Sequence, residues 1–392
     1  MVSLLNTPIY CARVNVISYS IGHMCLLNDY QKMNTYKKDN GVALITALLI
    51  VSLATIMAVS LVSQQYMDVR RTGNIMTSDK AYLQAITMET SAAHLLKFSR
   101  ETLGKKYDNK KEFDEAVLGL NASAMQVSEG EAGVSLELVY PEAKFNVNTL
   151  LDANGGPRAK QQARFRNLLV LILDDLGESS SLADNLIDTL LDWIDENDNE
   201  RSLGAEDGIY ESMDPPYKAA NQPILSISEL KLVEGFSEKI LYGIPKDLKD
   251  PNSVAIPGVL HFVTALPGHT TKMNINLITE SKLIRSLSAI ITEAMAQDII
   301  SDQPFENIGD FYAHSTWDGI RATANSDWVK LKAELNDAKS ESVLDVQSSF
   351  FVAKSTATLG KSIFSLNSLV SVGTAAPFKI KIDSRAVGTD GI

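Results

Sequence analysis

The sequence predicts an α+β protein on a single apolar N-terminal helix, with a large helical region inserted between its strands. Three observations lead there. The 21 residues from Val42 to Val62 carry no charge and are long enough to cross a bilayer as one helix. In "GVSLELVYPEAKFNVNTLLD", Val134, Leu136 and Leu138 alternate with Ser135, Glu137 and Val139, the period-two pattern of a strand. Far downstream, "SSFFVAKSTATLGKSIFSLNSLVSV" contains two β-rich runs with Gly360 where a hairpin would turn. The region between reads as helix in "ARFRNLLVLILDDLG", "SLADNLIDTLLDWIDE", "SISELKLVEG" and "ESKLIRSLSAIITEAMAQDII", so strands bracket an α-domain.

The apolar helix has a continuation. "KAYLQAITMETSAAHLLKFSRETLG" places Ala81, Ala85, Met88, Ala92 and Leu95 or Leu96 at spacings of three and four, an amphipathic stripe. Only Gly73 interrupts between residues 42 and 103, at about 1 kcal/mol. The expectation is one long helix, its first third in lipid and its remainder packed on a water-soluble body. The apolar stretch is too long for a secretory signal and lacks a small-x-small exit. An uncleaved single-pass anchor is the plain alternative.

Composition sets bounds. The 392-residue chain has 45% hydrophobic residues and a formal charge of −12. Residues 1–41 carry a net +2, which leaves −14 on the rest. An acidic body argues against nucleic-acid phosphates as partners. Both cysteines, Cys11 and Cys25, precede residue 41, so disulfides do not hold the fold and do not assign a compartment.

The short basic leader "MNTYKKDNG", followed by an uncharged helix and an amphipathic continuation, resembles the class III signal of type IV prepilins and type II secretion pseudopilins. The resemblance implies that a prepilin peptidase cuts after Gly41 and methylates Val42. It also implies a biological start at Met33, with residues 1–32 an upstream artefact of start-codon choice. Most pseudopilins carry glutamate at the fifth mature position, which here is Thr46. A carboxylate in lipid needs a partner, and in the family it pairs with a neighbour's amine. Its absence resembles the minor pseudopilin K family, whose members sit at the fibre tip.

An internal echo points the same way. "KFNVNTLL" (144–151) recurs as "KMNINLIT" (272–279), each pairing Asn-x-Asn with apolar residues before a helix. Asn caps helices and forms side-chain turns at such positions. A spacing of 128 residues is too long for a solenoid. Together with "DWID" and "DPPYKAANQPILSISELKLVEGF", the echo resembles that family from residue 33 to about 371. The resemblance implies a pilin-like fold, a long helix on a small antiparallel sheet, with an inserted α-helical domain of two SAM-like segments. The expected parts are residues 1–41 as extension and leader, 42–62 as membrane helix within a helix to about 103, and 104–144 as the first β part. The insert then covers 145–330, with segments at about 145–245 and 272–325, and 331–392 forms the last strands and tail. The tail "FKIKIDSRAVGTDGI" reads as a last strand with a frayed end.

The densest candidate chemistry is "DWIDENDNERSLGAEDGIYESMDPPY", residues 192–217. On an EF-hand template Asp195, Asn197, Asn199 and Glu206 fall at positions 1, 3, 5 and 12. Position 6 is Glu200 in place of glycine, and position 9 is Leu203, so a true EF-hand is disfavoured. A looser calcium loop and a solvated acidic loop both stay open. Asp195, Asp198, Glu200, Glu206 and Asp207 repel one another unless screened, and the family resemblance favours a structural calcium held among them.

Other motifs are weaker. "SELKLVEGFSEKIL" resembles a helix-hairpin-helix, but no basic patch surrounds Gly235, so it reads as structural packing without nucleic acid. His94, His261, His269 and His314 lack the converging spacing of a zinc site. There is no Gly-x-Ser-x-Gly elbow and no Walker loop. Trp193, inside "LLDWID", is expected to face inward. The functional expectation is a non-enzymatic assembly subunit, anchored once in the inner membrane by lipid contact and with its body in the periplasm. Lys37 and Lys38 would keep the leader end in the cytoplasm. The resemblance implies minor pseudopilins I and J as partners, then H and the major pseudopilin G. It also implies a role in initiating the fibre and exporting folded proteins across the outer membrane. The rival is a membrane-anchored periplasmic metal-dependent hydrolase built on the acidic loop.

Overall fold

In the computed structural model the described residues are 40–102, 132–247, 249–250, 253–323, 325–336, 343–360, 362–373 and 378–388. The leader with Met33, Lys37 and Lys38, most of the expected 104–144 segment, and the end of the tail lie outside them. Helix α1 is Asn40–Thr102 and runs through Gly73 without a break. It is the one helix among the described residues long and apolar enough to cross a membrane.

The described residues divide into two compact units, the first ending at Val69 and the second beginning at Arg70. In the first unit every side chain from Val42 to Val69 is exposed. Three hydroxyls of this stretch bond within the helix. Thr46 Oγ1 donates to the carbonyls of Val42 (3.1 Å) and Ala43 (3.0 Å), Ser52 to that of Leu49, and Thr55 to that of Ser52. A hydroxyl that back-bonds in this way needs no partner in hydrocarbon.

The second unit contains the sheet and the helical region. After strand β1 (Ala132–Val139) come β2 (Phe145–Asn146), helices α2 (Ala159–Asp175) and α3 (Leu182–Ile194), and β3 (Val263–Thr264). Then follow β4 (Met273–Asn274), α4 (Ser281–Ser286), α5 (Glu293–Ser301), α6 (Asn325–Glu334), β5 (Leu344–Asp345), β6 (Phe350–Leu359), β7 (Ser362–Val372) and β8 (Ile380–Val387). Strands β1, β6, β7 and β8 make a four-stranded sheet in that order, antiparallel throughout. The β6–β7 hairpin pairs Leu359 with Ser362 and turns through Gly360 at φ +58°, a conformation that costs glycine least. Strand β8 continues the tail into the sheet and bulges at Asp383.

One sheet face packs on α1. Ala92 and Leu96 join Leu136 and Leu138 of β1, Phe351 and Ala353 of β6, and Val370 and Val372 of β7 in one core. Ala81 and Ala85 are fully buried as well. Alanine on the inner stripe lets the helix backbone approach the strands closely. The stripe expected from spacing holds, with Met88 and Leu95 at its half-buried margins. It also contains a charge, Glu89, which the apolar pattern did not include.

The helical region has a core of its own, running from Phe145 to Leu344. Phe145 stacks on Phe165 of α2 at 5.3 Å between ring centres. From α2, Lys160 and Arg164 donate to the carbonyls of Ala333, Glu334 and Asn336 at the C-terminal end of α6, where cations oppose the helix dipole. The two Asn-x-Asn motifs do the same local work. Each first Asn accepts from the backbone N–H of the second, Asn146 from Asn148 at 3.1 Å and Asn274 from Asn276 at 3.0 Å, opening a 3₁₀ turn. Each second Asn then exchanges two bonds with a distant backbone. Asn148 does so with Ile224 (2.8 and 2.9 Å), and Asn276 with Phe305 (2.9 and 2.7 Å). Each motif also follows a short parallel pairing, β2 with β3 and β4 with β5. The echo in sequence is therefore an echo in hydrogen bonding.

Two links join helical region and sheet. The buried Glu142 carboxylate accepts from the backbone N–H groups of Ser349 (2.6 Å) and Phe350 (3.2 Å). Leu266 packs with Val352 and Leu369 on the sheet face away from α1.

Candidate cation-binding loop

The loop grows from α3. Its apolar face, Leu186, Leu190, Trp193 and Ile194, is buried in the helical core. Trp193 meets Tyr210 edge-on at 5.1 Å, so it faces inward as expected. Asp188 and Asp192 on α3 and Asp195 at its C-terminal cap recur at spacings of four and three. All three hold the returning chain. Asp188 accepts from the Leu203 N–H (3.2 Å) and Asp192 from the Arg201 N–H (3.1 Å). The Arg201 guanidinium bridges Asp192 and Asp195, with Nη1 at 2.6 Å from Asp195 Oδ2.

Gly204 makes this approach possible. A Cβ built there would lie 1.8 Å from Asp192 Oδ2. Asp195 also orders the outgoing strand of the loop by accepting from both nitrogens of Asn197, and Asn197 in turn accepts from Asn199.

Of the five carboxylates expected in the site, Asp195 and Glu206 are buried at 2% and 6% exposure. Both Glu206 oxygens are buried without a hydrogen-bond partner. Burial, with the added repulsion of Asp192, Asp195, Asp198 and Asp207, pushes its carboxyl up to about 7. Asp198 stands nearby and accepts from Asn221 Nδ2 (2.9 Å), while Asn221 Oδ1 is itself buried and unpartnered. Asn221 takes φ +47° and bonds to the Trp193 carbonyl at 3.0 Å. Asp207 turns instead to Lys218 (2.5 Å) and the Ala219 N–H, whose bonds hold it below the usual carboxylate range. Glu200 is exposed and is not among the charges that act on Glu206.

Asp192, fully buried, is the residue that sequence reasoning missed. Burial raises its carboxyl, and the Arg201 bonds only partly offset that. Its signal was present as the acidic repeat on α3, hidden inside the apolar "LLDWID" run.

Among the described residues no three histidine, cysteine or carboxylate groups converge as a ready-made metal cage. The donor chemistry nevertheless suits a hard divalent cation, since it offers carboxylate and amide oxygens, two of the former unpartnered and buried. Three histidines are engaged elsewhere, and His94 lies exposed on α1. His261 pairs with Glu280, His269 with the Asn148 carbonyl, and His314 with Asp302.

Comparison with known proteins follows the same lines. Residues 143–244 match the family model described as type II secretion system (T2SS), protein K. A type II secretion system protein K from Aeromonas hydrophila is 26% identical over 339 residues, 84% of this chain and 91% of that protein. One from Pseudomonas aeruginosa is 29% identical over 71% of this chain and 77% of its own length. One from Pectobacterium carotovorum is 25% identical over 90% and 97%. Among solved structures, a chain of the GspK–GspI–GspJ complex from enterotoxigenic Escherichia coli aligns with a TM-score of 0.56 at 23% identity, covering 81% of this chain and 99% of that one. At that identity the likeness is one of fold, a mixed helix and sheet architecture.

Proposed function

The chain belongs to the type II secretion system protein K family, and from that premise we propose that it is the minor pseudopilin at the tip of a type II secretion pseudopilus. There it initiates the fibre and serves export of folded proteins from the periplasm across the outer membrane. The observation that carries this reading is Thr46. At the fifth position after Gly41, where a polymerising subunit needs a carboxylate to pair with the amine of a neighbour, the side chain is a hydroxyl bonded to its own helix. Nothing at this position calls for a subunit above.

We read α1 and the four-stranded sheet as the pilin-like part, and residues 145–330 as an insert of two SAM-like segments. The repeated Asn-x-Asn geometry supports two related halves. Prepilin peptidase removes the leader after Gly41, Val42–Val62 holds the subunit in inner-membrane lipid, and the acidic body lies in the periplasm. The apolar side chains α1 leaves exposed, Ile75, Met76, Leu83 and Phe98 among them, support helix-to-helix assembly. Minor pseudopilins I and J are the first neighbours, followed by H and the major pseudopilin G. The role is structural, with no catalytic residue assigned.

Calcium is the structural ion of this reading. Asp195, Asp198 and Glu206 would hold it, with Asp192 and Asn221 beside them and with Glu200 and Asp207 at the margin. Bound calcium would take its oxygen ligands from these carboxylates and supply the countercharge that the unpartnered Glu206 lacks. The Gly41→Val variant tests the main reading. Mass spectrometry of the membrane fraction should show wild type beginning at Val42 and the variant retaining its leader, with secretion lost. An unprocessed wild type in secreting cells overturns it.

A further inference from the structure

Asp192 and Asp195 are almost wholly withdrawn from water, at 0% and 2% exposure, and buried carboxylates require a countercharge. The structure supplies one, the Arg201 guanidinium, and it uses an oxygen of each. The Arg201 side chain is 27% exposed, so its outer part already reaches solvent. Its place in the loop does not depend on the guanidinium, because the Arg201 backbone N–H bonds separately to Asp192 Oδ2 and its carbonyl accepts from Gly204 at 3.1 Å. One positive charge serves Asp192 and Asp195, and Glu206 is left without a hydrogen-bond partner for either oxygen.

We infer that Arg201 is a built-in counter-ion that stands in for the cation, so that a divalent ion enters the loop only as the guanidinium leaves Asp192 and Asp195. The inference rests on the calcium reading of this loop and goes beyond it by naming the residue that sets its affinity. The two states differ in which charge satisfies Asp195. In one, Arg201 covers Asp195 Oδ2 and Glu206 is bare. In the other, the ion takes both carboxylates and the guanidinium moves into water, where an arginine is well solvated. Every interaction the guanidinium makes with the two aspartates opposes ion binding, and the ion's affinity is lowered by that amount. The loop thereby keeps its fold when the ion is scarce, since Arg201 and the α3 aspartates still hold residues 201–203 in place.

The test is calorimetric titration of the full chain in detergent micelles with calcium chloride, for wild type and Arg201→Gln. The glutamine keeps the backbone bonds and removes the charge. The expected result is about tenfold or greater tightening of calcium binding in the variant, within the usual range of coupling between two sites. Wild type that binds calcium with a variant that binds equally or more weakly overturns the Arg201 inference and leaves the calcium reading standing. No heat from either protein overturns both. Should Arg201→Gln fail to fold, guanidinium N–H exchange in wild type decides. Exchange is expected to be slow in chelator and faster in saturating calcium, and protection unchanged by calcium overturns the inference.

Discussion

Glu89 of α1 and Arg385 of β8 form a two-pronged ion pair, Nε to Oε2 at 2.7 Å and Nη2 to Oε1 at 2.8 Å, joined by the Ser368 hydroxyl. It ties the inner stripe of the helix to the last strand, 296 residues away. Glu89 is 1% exposed and cannot be left unpaired, whereas the Arg385 side chain is 47% exposed and can be solvated alone. Arg385→Ala should therefore cost more than Glu89→Gln. We expect about 2–4 kcal/mol for the former, below a fully buried pair because water reaches the arginine. Urea unfolding of both variants measures the difference, and equal costs would contradict this account.

The same pair predicts an acid dependence. Burial raises the Glu89 carboxyl, but bonds from Arg385 and Ser368 and the Arg385 charge outweigh it and hold the group below its ordinary value of 4.5. A folded value below the unfolded one adds stability that is complete above the unfolded value and is lost as pH falls through the folded one. Wild type should lose stability more steeply than Glu89→Gln below about pH 4.5. Parallel stability curves of the two proteins would exclude the pair as the cause.

Asn148→Ala should be among the more damaging single changes in the helical region. The substitution strips partners from Ile224 N–H and C=O in a place that water does not reach, while the Leu266 carbonyl keeps its bond from Asn146. Unsatisfied buried groups cost about 1–3 kcal/mol each, so a loss of about 3 kcal/mol is expected in chemical denaturation. Asn276→Ala removes the equivalent exchange with Phe305 from a less buried site and should cost less.

Gly204→Ala puts a methyl where the Asp192 carboxylate lies. The loop must shift, at about 1–3 kcal/mol, and calcium affinity should fall with it. Melting in chelator and in calcium separates the two effects. A variant with wild-type melting in both conditions would show that the close approach is not needed.

Several elements were legible because local pattern and tertiary environment agree. α1, β1 and the Gly360 hairpin follow from runs whose period matches the face they bury. The Asn-x-Asn turns follow from side-chain chemistry that acts within two residues. What escaped was long-range and polar. Nothing near Glu89 in sequence announces Arg385, and a charge inside an alanine stripe runs against the amphipathic pattern. Asp192 was masked by its apolar neighbours. The positive partner of the acidic loop, Arg201, was passed over because a search for metal ligands counts carboxylates and ignores cations. Glu200 and Glu206 both count as candidate ligands from their place in the acidic run, yet only the second is carried inward.

The order of strands in the sheet bears on how the molecule is made. β1 is synthesised early and pairs with β6, more than two hundred residues later. Glu89 waits longer still, for Arg385 on β8, which is made after β1, β6 and β7. The helical region draws its core from one unbroken span of chain and needs no such delay. On this schedule the nascent polypeptide leaves the Glu89 flank of α1 without its arginine until β8 has been made. A chain that stops before Arg385 would keep the core of the helical region and leave the buried Glu89 carboxylate without its guanidinium.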